Sequence, residues 1–263
     1  MIERVLPDGS TVHGLNRAEI DHLHRQIVQD DAYGLSSVTD LPPDAVVVDA
    51  GANIGMFSLL ALRHRPHGRI VAVEPAPEVF EALRRNLDGA AGATCLNVGL
   101  GDRAERREFT YYPRWTVMSG LHADPVRDHA LARASIEDTA DSLPAAHREI
   151  LLEGIDDLLA ERFRPVTLDV EIRTLSDVVS RLGLPRVDLL KVDVEGAEID
   201  VMSGLDDDTW PAVARVVVEL VDRGTALADM VGLLRAHAMA VRVVRDPSAG
   251  TSGLCFVHAA REG

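Results

Sequence analysis

The sequence predicts an α/β fold: a mostly parallel sheet closed by an antiparallel C-terminal hairpin. Three observations predict it. Short β-branched runs alternate with helical stretches from Ala45 onward, the pattern of βαβ units with right-handed crossovers. A glycine-containing turn, Asp49-Ala50-Gly51-Ala52-Asn53-Ile54-Gly55, joins the first such run to the first helical stretch. Two late strands, Ala240–Arg245 and Leu254–Ala260, have no helix between them, only the turn segment Asp246-Pro247-Ser248-Ala249-Gly250.

Taken in order, residues 1–43 form a lead-in. Arg4-Val5-Leu6, a Pro7-Asp8-Gly9-Ser10 turn and Thr11-Val12-His13 read as a hairpin. Asn16 is an N-cap with Glu19 as its capping-box partner, opening a helix at about 17–30 that carries Ile20, Leu23 and Ile27. The main domain, 44–263, starts with the buried strand Ala45–Asp49 and a helix over Met56–Leu62. Arg69–Glu74 is the second strand, 77–88 a helix, and Thr94–Val98 the third strand. A further strand is expected near Glu108–Tyr112. Residues 122–166 are a polar, alanine-rich helical insert, either a lid or a partner surface, in which Leu151, Leu152, Ile155, Leu158, Leu159 and Phe163 mark an amphipathic helix. The α/β pattern resumes with strand Thr167–Arg173, helix 175–182, strand Val187–Asp193, a helix at about 196–204, strand Arg215–Leu220 and helix 225–236.

Composition bounds the function. With 263 residues, 46% of them hydrophobic, the chain can bury one large core or two small ones, which excludes a disordered chain. A net charge of −15 and a pI near 5.0 argue against non-specific nucleic-acid binding and against a basic membrane anchor. There is no apolar run of ~18 residues and no apolar signal segment at the N-terminus. Cys95 and Cys255 lie in apolar runs and read as buried free thiols, so the expected compartment is cytoplasmic. Of the 27 basic residues one is a lysine, Lys191, which points to a specific use of that side chain.

The Asp49–Gly55 turn is the sharpest motif. Gly51 permits a tight turn close to a ligand, and Gly55 lets the helix approach the sheet. Glu74 ends the next strand, where a carboxylate can accept hydrogen bonds from vicinal ribose hydroxyls. A dinucleotide would need a glycine where Asn53 stands, because its diphosphate would crowd that side chain. S-adenosylmethionine has no phosphate, and Asp49 suits its ammonium directly or through water. Gly101-Asp102 would sit at the adenine edge, with Asp102 accepting from the exocyclic amine.

From residue 46 to about 258 the chain resembles the FkbM family of S-adenosylmethionine-dependent methyltransferases. The residues that carry the resemblance are Val48–Gly55, Val73-Glu74-Pro75, Asn97–Asp102, Arg173–Asp177 and Asp188–Glu198, which contains Lys-Val-Asp-Val-Glu-Gly-Ala-Glu. Leu15–Glu19 resembles the O-methyltransferases of polyketide and nonribosomal peptide pathways. The resemblance implies a Rossmann-like class I methyltransferase fold with seven strands, and methyl transfer to a natural-product hydroxyl. The acceptor is then a small molecule, free or tethered to a carrier protein. N- and C-methyltransfer, or a binding module that has lost catalysis, are the competing readings.

Ligands of open α/β sheets bind beyond the carboxyl ends of the strands, where Asp193 and Glu219 stand. Two mechanisms are open. Either Asp193 or Glu195 accepts the hydroxyl proton, with Lys191 tuning it or orienting the substrate. Or Asp193 and Glu219 hold Mg²⁺, which lowers the hydroxyl pKa. Tyr111, Tyr112, Arg114, Trp115 and Ser119 cluster before the insert, either lining the acceptor pocket or forming a packed aromatic edge, and His122 is a further pocket candidate and an alternative base. Arg84 and Arg85, or Arg103, Arg106 and Arg107, could form the basic patch that an acidic carrier needs.

Overall fold

The continuous β-branched runs become the centre of one sheet, buried on both faces. A computed structural model describes residues 1–34, 36–140, 144–245 and 253–261. β1 (Ile2–Val5) and β2 (Thr11–Gly14) pair antiparallel about the Pro7–Ser10 turn. α1 (Arg17–His24) starts at Asn16, whose Oδ1 accepts the Glu19 N–H at 2.9 Å while its Nδ2 donates to Glu19 Oε2 at 2.7 Å. This is a variant of the capping box, closed through the Asn16 side-chain amide in place of its backbone N–H. The helix runs on as a π-helical turn over Arg25–Gln29, and a short α2 (Ser36–Thr39), not anticipated, follows.

β3 (Val46–Ala50), α3 (Met56–His64), β4 (Arg69–Val73), α4 (Pro77–Asn86) and β5 (Ala93–Leu96) make two parallel βαβ units. The third strand ends earlier than expected, because Asn97 donates its side-chain amide to the carbonyls of Glu74 and Pro75 and turns the chain away. β6 (Gly99–Leu100) and β7 (Glu105–Tyr111) follow, then α5 (Pro125–Ala140), α6 (Ala145–Leu152), α7 (Ile155–Arg162) and β8 (Val166–Arg173). The chain then runs through α8 (Leu175–Arg181), β9 (Leu189–Val192), α9 (Glu198–Ser203), β10 (Arg215–Val221), α10 (Ala226–Ala236), β11 (Met239–Arg245) and β12 (Leu254–Arg261).

The seven-stranded sheet has the order β11-β12-β10-β9-β3-β4-β5. β12 is antiparallel to both β10 and β11, and the remaining pairs are parallel. This is the class I methyltransferase sheet. The turn expected at Asp246–Gly250 lies outside the described residues. Strand 167–173 does not join this sheet: β8 pairs antiparallel with β7 and parallel with β6 in a separate three-stranded sheet. Its sequence alternates, with Val170 and Ile172 buried between exposed neighbours, so it covers a core with one face instead of lying inside one.

Two apolar clusters pack on opposite faces of the main sheet. The lead-in contributes Ile20, Leu23 and Ile27 to the first, so it shares the core of the main domain. A third, small cluster joins Tyr112 to Ile155, Leu159 and Phe163 of the insert. The single amphipathic helix expected there is two helices, α6 and α7, broken at Gly154. Leu158 is exposed, and the Leu151 side chain lies outside the described residues. Among the described residues no helix is long and apolar enough to cross a membrane.

Candidate active site

Beyond the carboxyl ends of β3, β4, β9 and β10 lies a cavity of about 540 Å³, lined by Gly51, Asn53, Glu74, Asp193, Glu195 and Glu219 among others. Its floor is the turn after β3. A Cβ on Gly51 would stand 1.7 Å from the backbone oxygen of Asp193, so only glycine lets the turn cross the end of β9. Gly55 (φ 84°) precedes α3, and a Cβ there would meet Leu83 Cδ1 of α4 at 2.6 Å. Gly55 is thus a packing residue beneath the floor. Asn53, at φ 48°, donates its backbone N–H to Glu74 Oε2 at 3.1 Å and its Nδ2 to Thr116 Oγ1 at 3.2 Å.

Glu74 also accepts the Ala76 N–H at 2.9 Å. Burial outweighs these two amides and the nearby Lys191 ammonium and pushes its carboxyl up to about 7. Each oxygen takes one backbone donor, which leaves acceptor capacity for ribose hydroxyls. With the apolar border at Val98 and Gly99, this end of the cavity fits the nucleoside of S-adenosylmethionine.

Four expected donor-site or catalytic residues are placed differently. Asp49 does not reach the cavity. It is fully buried, accepts the Ser58 hydroxyl at 2.7 Å, and its otherwise unbonded Oδ1 faces Lys191 Nζ at 3.2 Å. Lys191 is buried too, donating to the Gly51 carbonyl at 2.8 Å and standing 3.4 Å from Asp193 Oδ2. Burial alone would lower its pKa, but Asp49 and Asp193 outweigh that and hold the ammonium charged. Lys191 therefore braces the floor from outside the cavity lining, within reach of Asp193. Gly101 donates its N–H to the Arg173 carbonyl at 3.0 Å, and the exposed Asp102 pairs with Arg103 at 3.2 Å. Neither lines the cavity, because the chain leaves the sheet at Asn97; Val98, Gly99 and Leu100 stand there instead.

At the other end Asp193 and Glu219 come together, with a partner the sequence did not single out. The Tyr33 hydroxyl lies 2.7 Å from Asp193 Oδ2 and 2.5 Å from Glu219 Oε2. A phenol has one proton to give. One of the two contacts therefore needs a protonated carboxyl, and burial together with the Asp193 charge pushes Glu219 up to about 8. Glu219 donates to Tyr33, and Tyr33 donates to Asp193. Gln26 Nε2 supports Glu219 from 3.0 Å. This arrangement does not fit the expected Mg²⁺ site. A hard cation needs several free anionic oxygens; here a phenol, an amide and an ammonium already occupy the pair, and no group of three suitable side chains exists among the described residues.

Glu195 lines the cavity in the left-handed region (φ 56°), and burial beside Asp193 and Glu219 raises its pKa strongly. Of the acceptor candidates, Ser119 lines the cavity and its Oγ accepts the Tyr112 N–H at 3.0 Å. Tyr111, Tyr112, Arg114 and His122 do not, and Tyr111 donates to Glu78 at 2.9 Å. Tyr112 is fully buried, donating to Asp128 Oδ2 at 2.9 Å and stacking edge-on with Phe163. Arg114 pairs with Glu161 at 2.8 Å, and His122 with Asp200 at 2.9 Å, both at the surface. Trp115, another of the candidates, does line it, together with His22 of α1 and Leu131, Ile136 and Arg162 of the insert. The insert is therefore a wall of the site. The two arginine groups considered for carrier docking carry ion pairs of their own: Arg84 and Arg85 share Glu81, Arg103 pairs with Glu105, Arg106 with Asp169, and Arg107 with Asp200.

Residues 49–238 match the family model described as the methyltransferase FkbM domain. Over 246 residues the chain is 38% identical to the 31-O-demethyl-FK506 methyltransferase FkbM of Streptomyces tacrolimicus, covering 92% of this chain and 90% of that protein. It is 37% identical over 256 residues to the AMB antimetabolite synthetase AmbE of Pseudomonas aeruginosa, covering 93% of this chain but 12% of the synthetase. A protein named Methyltransferase 1 from Beauveria bassiana is 34% identical over 251 residues, with 93% of this chain and 92% of that protein covered. The sheet order, the cavity over its carboxyl edge and these matches agree that the chain belongs to the FkbM family of S-adenosylmethionine-dependent methyltransferases.

Proposed function

We propose that the chain transfers a methyl group from S-adenosylmethionine to a hydroxyl of a natural-product intermediate of the polyketide or nonribosomal peptide type. The observation that carries this reading is Asp193 on the cavity wall. Its contacts to Tyr33 and Lys191 both fall on Oδ2, which leaves Oδ1 to an acceptor hydroxyl. The names of two relatives, an O-demethyl substrate's methyltransferase and an antimetabolite synthetase, support the acceptor class.

When bound, S-adenosylmethionine supplies an already activated methyl group, so most of the catalysis is positioning. Glu74 holds the ribose hydroxyls, and the Gly51–Asn53 turn supports the donor from below. Asp193 accepts the hydroxyl proton at Oδ1. Tyr33 and Lys191 fix the carboxylate plane, while the protonated Glu219 adds no second negative charge beside it.

Calorimetry with S-adenosylmethionine, with NAD as control and Mg²⁺ present or absent, tests the donor. Micromolar binding, no NAD heat and no magnesium effect are expected; no donor binding by folded protein overturns the reading. The base is tested by Asp193→Asn with a panel of hydroxyacyl and hydroxylated peptide acceptors. Turnover should fall by at least ~100-fold while donor affinity holds. Near-wild-type turnover would remove Asp193 from the mechanism.

A further inference from the structure

Many surface arginines of this acidic chain pair with carboxylates, among them Arg84 with Glu81, Arg106 with Asp169, Arg114 with Glu161 and Arg181 with Asp177. Arg162 departs from that pattern. It ends α7, lines the cavity, and holds its guanidinium 4.0 Å from the centroid of the Trp115 ring. Among the described residues it forms no ion pair. Burial lowers its pKa, and the charge set against this is Glu19, which is already committed to Asn16 and the Thr116 amide. A half-buried guanidinium without a counter-charge is costly in a chain of net charge −15, where carboxylates are plentiful.

A second such cation stands nearby. Arg25, just past α1, lines the same cavity and also forms no ion pair among the described residues. His22, one turn earlier, sets its ring 5.7 Å from that of Trp115. The charges of Arg25, Asp193 and Arg162 all act on His22, whose pKa is lowered by burial first. The charges acting most on Glu74 are Lys191 and Asp49. Arg25 adjoins Gln26, which bonds Glu219 at the Asp193 end, and Arg162 lies on Trp115 beside His22. A planar guanidinium pinned on an indole is oriented in advance for two-point recognition of an oxyanion.

We propose that Arg162 and Arg25 form a subsite for an oxyanion, carboxylate or phosphate, carried by the acceptor. This deepens the methyltransferase reading and rests on it. Asp193 meets the hydroxyl, and the arginines hold the anionic group of the same molecule. A phosphate would come from a phosphopantetheine arm, a carboxylate from a free hydroxy acid.

The test is calorimetry on wild type, Arg162→Gln and Arg25→Gln, with folding checked by circular dichroism. Probes are 4′-phosphopantetheine against pantetheine, and 3-hydroxybutyrate against its methyl ester, each with and without S-adenosylmethionine. Wild type should bind one charged probe at least about tenfold more tightly than its neutral counterpart. The phosphate pair or the carboxylate pair then identifies the source. Arg162→Gln should lose the preference while donor affinity stays within about threefold, since the lost bond is to the acceptor. Arg25, at an exposed position, carries the test if Arg162→Gln does not fold. No preference for either charged probe overturns the proposal. So does weaker donor binding in Arg162→Gln, which would assign the arginine to the donor's own carboxylate. Failure of wild type to bind the donor would sink the methyltransferase reading instead, and the donor-free titrations would still decide the oxyanion site.

Discussion

Lys191, the chain's one lysine, is buried beneath the Gly51 turn between Asp49 and Asp193. Its removal strands a fully buried carboxylate at Asp49. Lys191→Met is therefore expected to cost about 3 kcal/mol or more in urea unfolding, because breaking one side of a buried pair leaves the other charge uncompensated. Glu219 makes the opposite case. Its carboxyl is raised to about 8, so at neutral pH it is already a neutral hydrogen-bonding group. Glu219→Gln mimics that state and should keep turnover within about threefold of wild type, as a side chain able to donate and accept in the same place. A loss comparable with that of Asp193→Asn would restore the metal mechanism.

At the scale of elements, the lead-in helix reaches the active site through its own cap. Glu19 accepts the Asn16 side-chain amide and also the Thr116 backbone N–H. Thr116 in turn holds Asn53, and Asn53 holds Glu74. One buried glutamate therefore links α1, the loop after β7 and the donor floor. Glu19→Ala should destabilise the protein by about 1–3 kcal/mol, since a buried amide loses its acceptor. The Thr116 amide should then exchange with deuterium faster, and donor affinity should weaken. Unchanged exchange at Thr116 would break the link. The insert acts similarly: the cluster of Tyr112 with Ile155, Leu159 and Phe163 fixes α7, and α7 presents Arg162.

For the whole molecule, buried carboxyls near the site dominate the pH response. Glu74 and Glu198 are pushed up to about 7 and Glu219 to about 8, each by burial first, from an ordinary value of 4.5. The native state therefore binds protons that the unfolded chain has released, and stability falls as pH rises from about 4.5 through those values. His22 and His258, lowered by burial, act in the opposite sense, but their contribution is complete above their ordinary value of 6.5. The ligand-free protein should lose thermal stability between pH 6.5 and 8.5, helped by self-repulsion above its pI of 5.0. A melting temperature that rises over that window would contradict these assignments.

The sequence by itself determined the sheet and the floor of the site. Continuous β-branched runs specify strands buried on both faces, and Gly51 and Glu74 follow from positions along those strands. Even β8, expected to extend the α/β pattern, shows in its alternation that it covers a core with one face. The tertiary structure alone decided which polar ends are open. Strand alternation puts Lys191 and Asp193 on one side but does not say that Asp49 and Gly51 close over the first and leave the second exposed to the cavity. Tyr33 meets Asp193 from 160 residues away, and Arg162 meets Trp115 only after the insert folds back on the loop. Charge states and hydrogen bonds depend on partners and dielectric supplied by other elements, so a carboxyl raised as far as that of Glu219 exists only once those elements are packed.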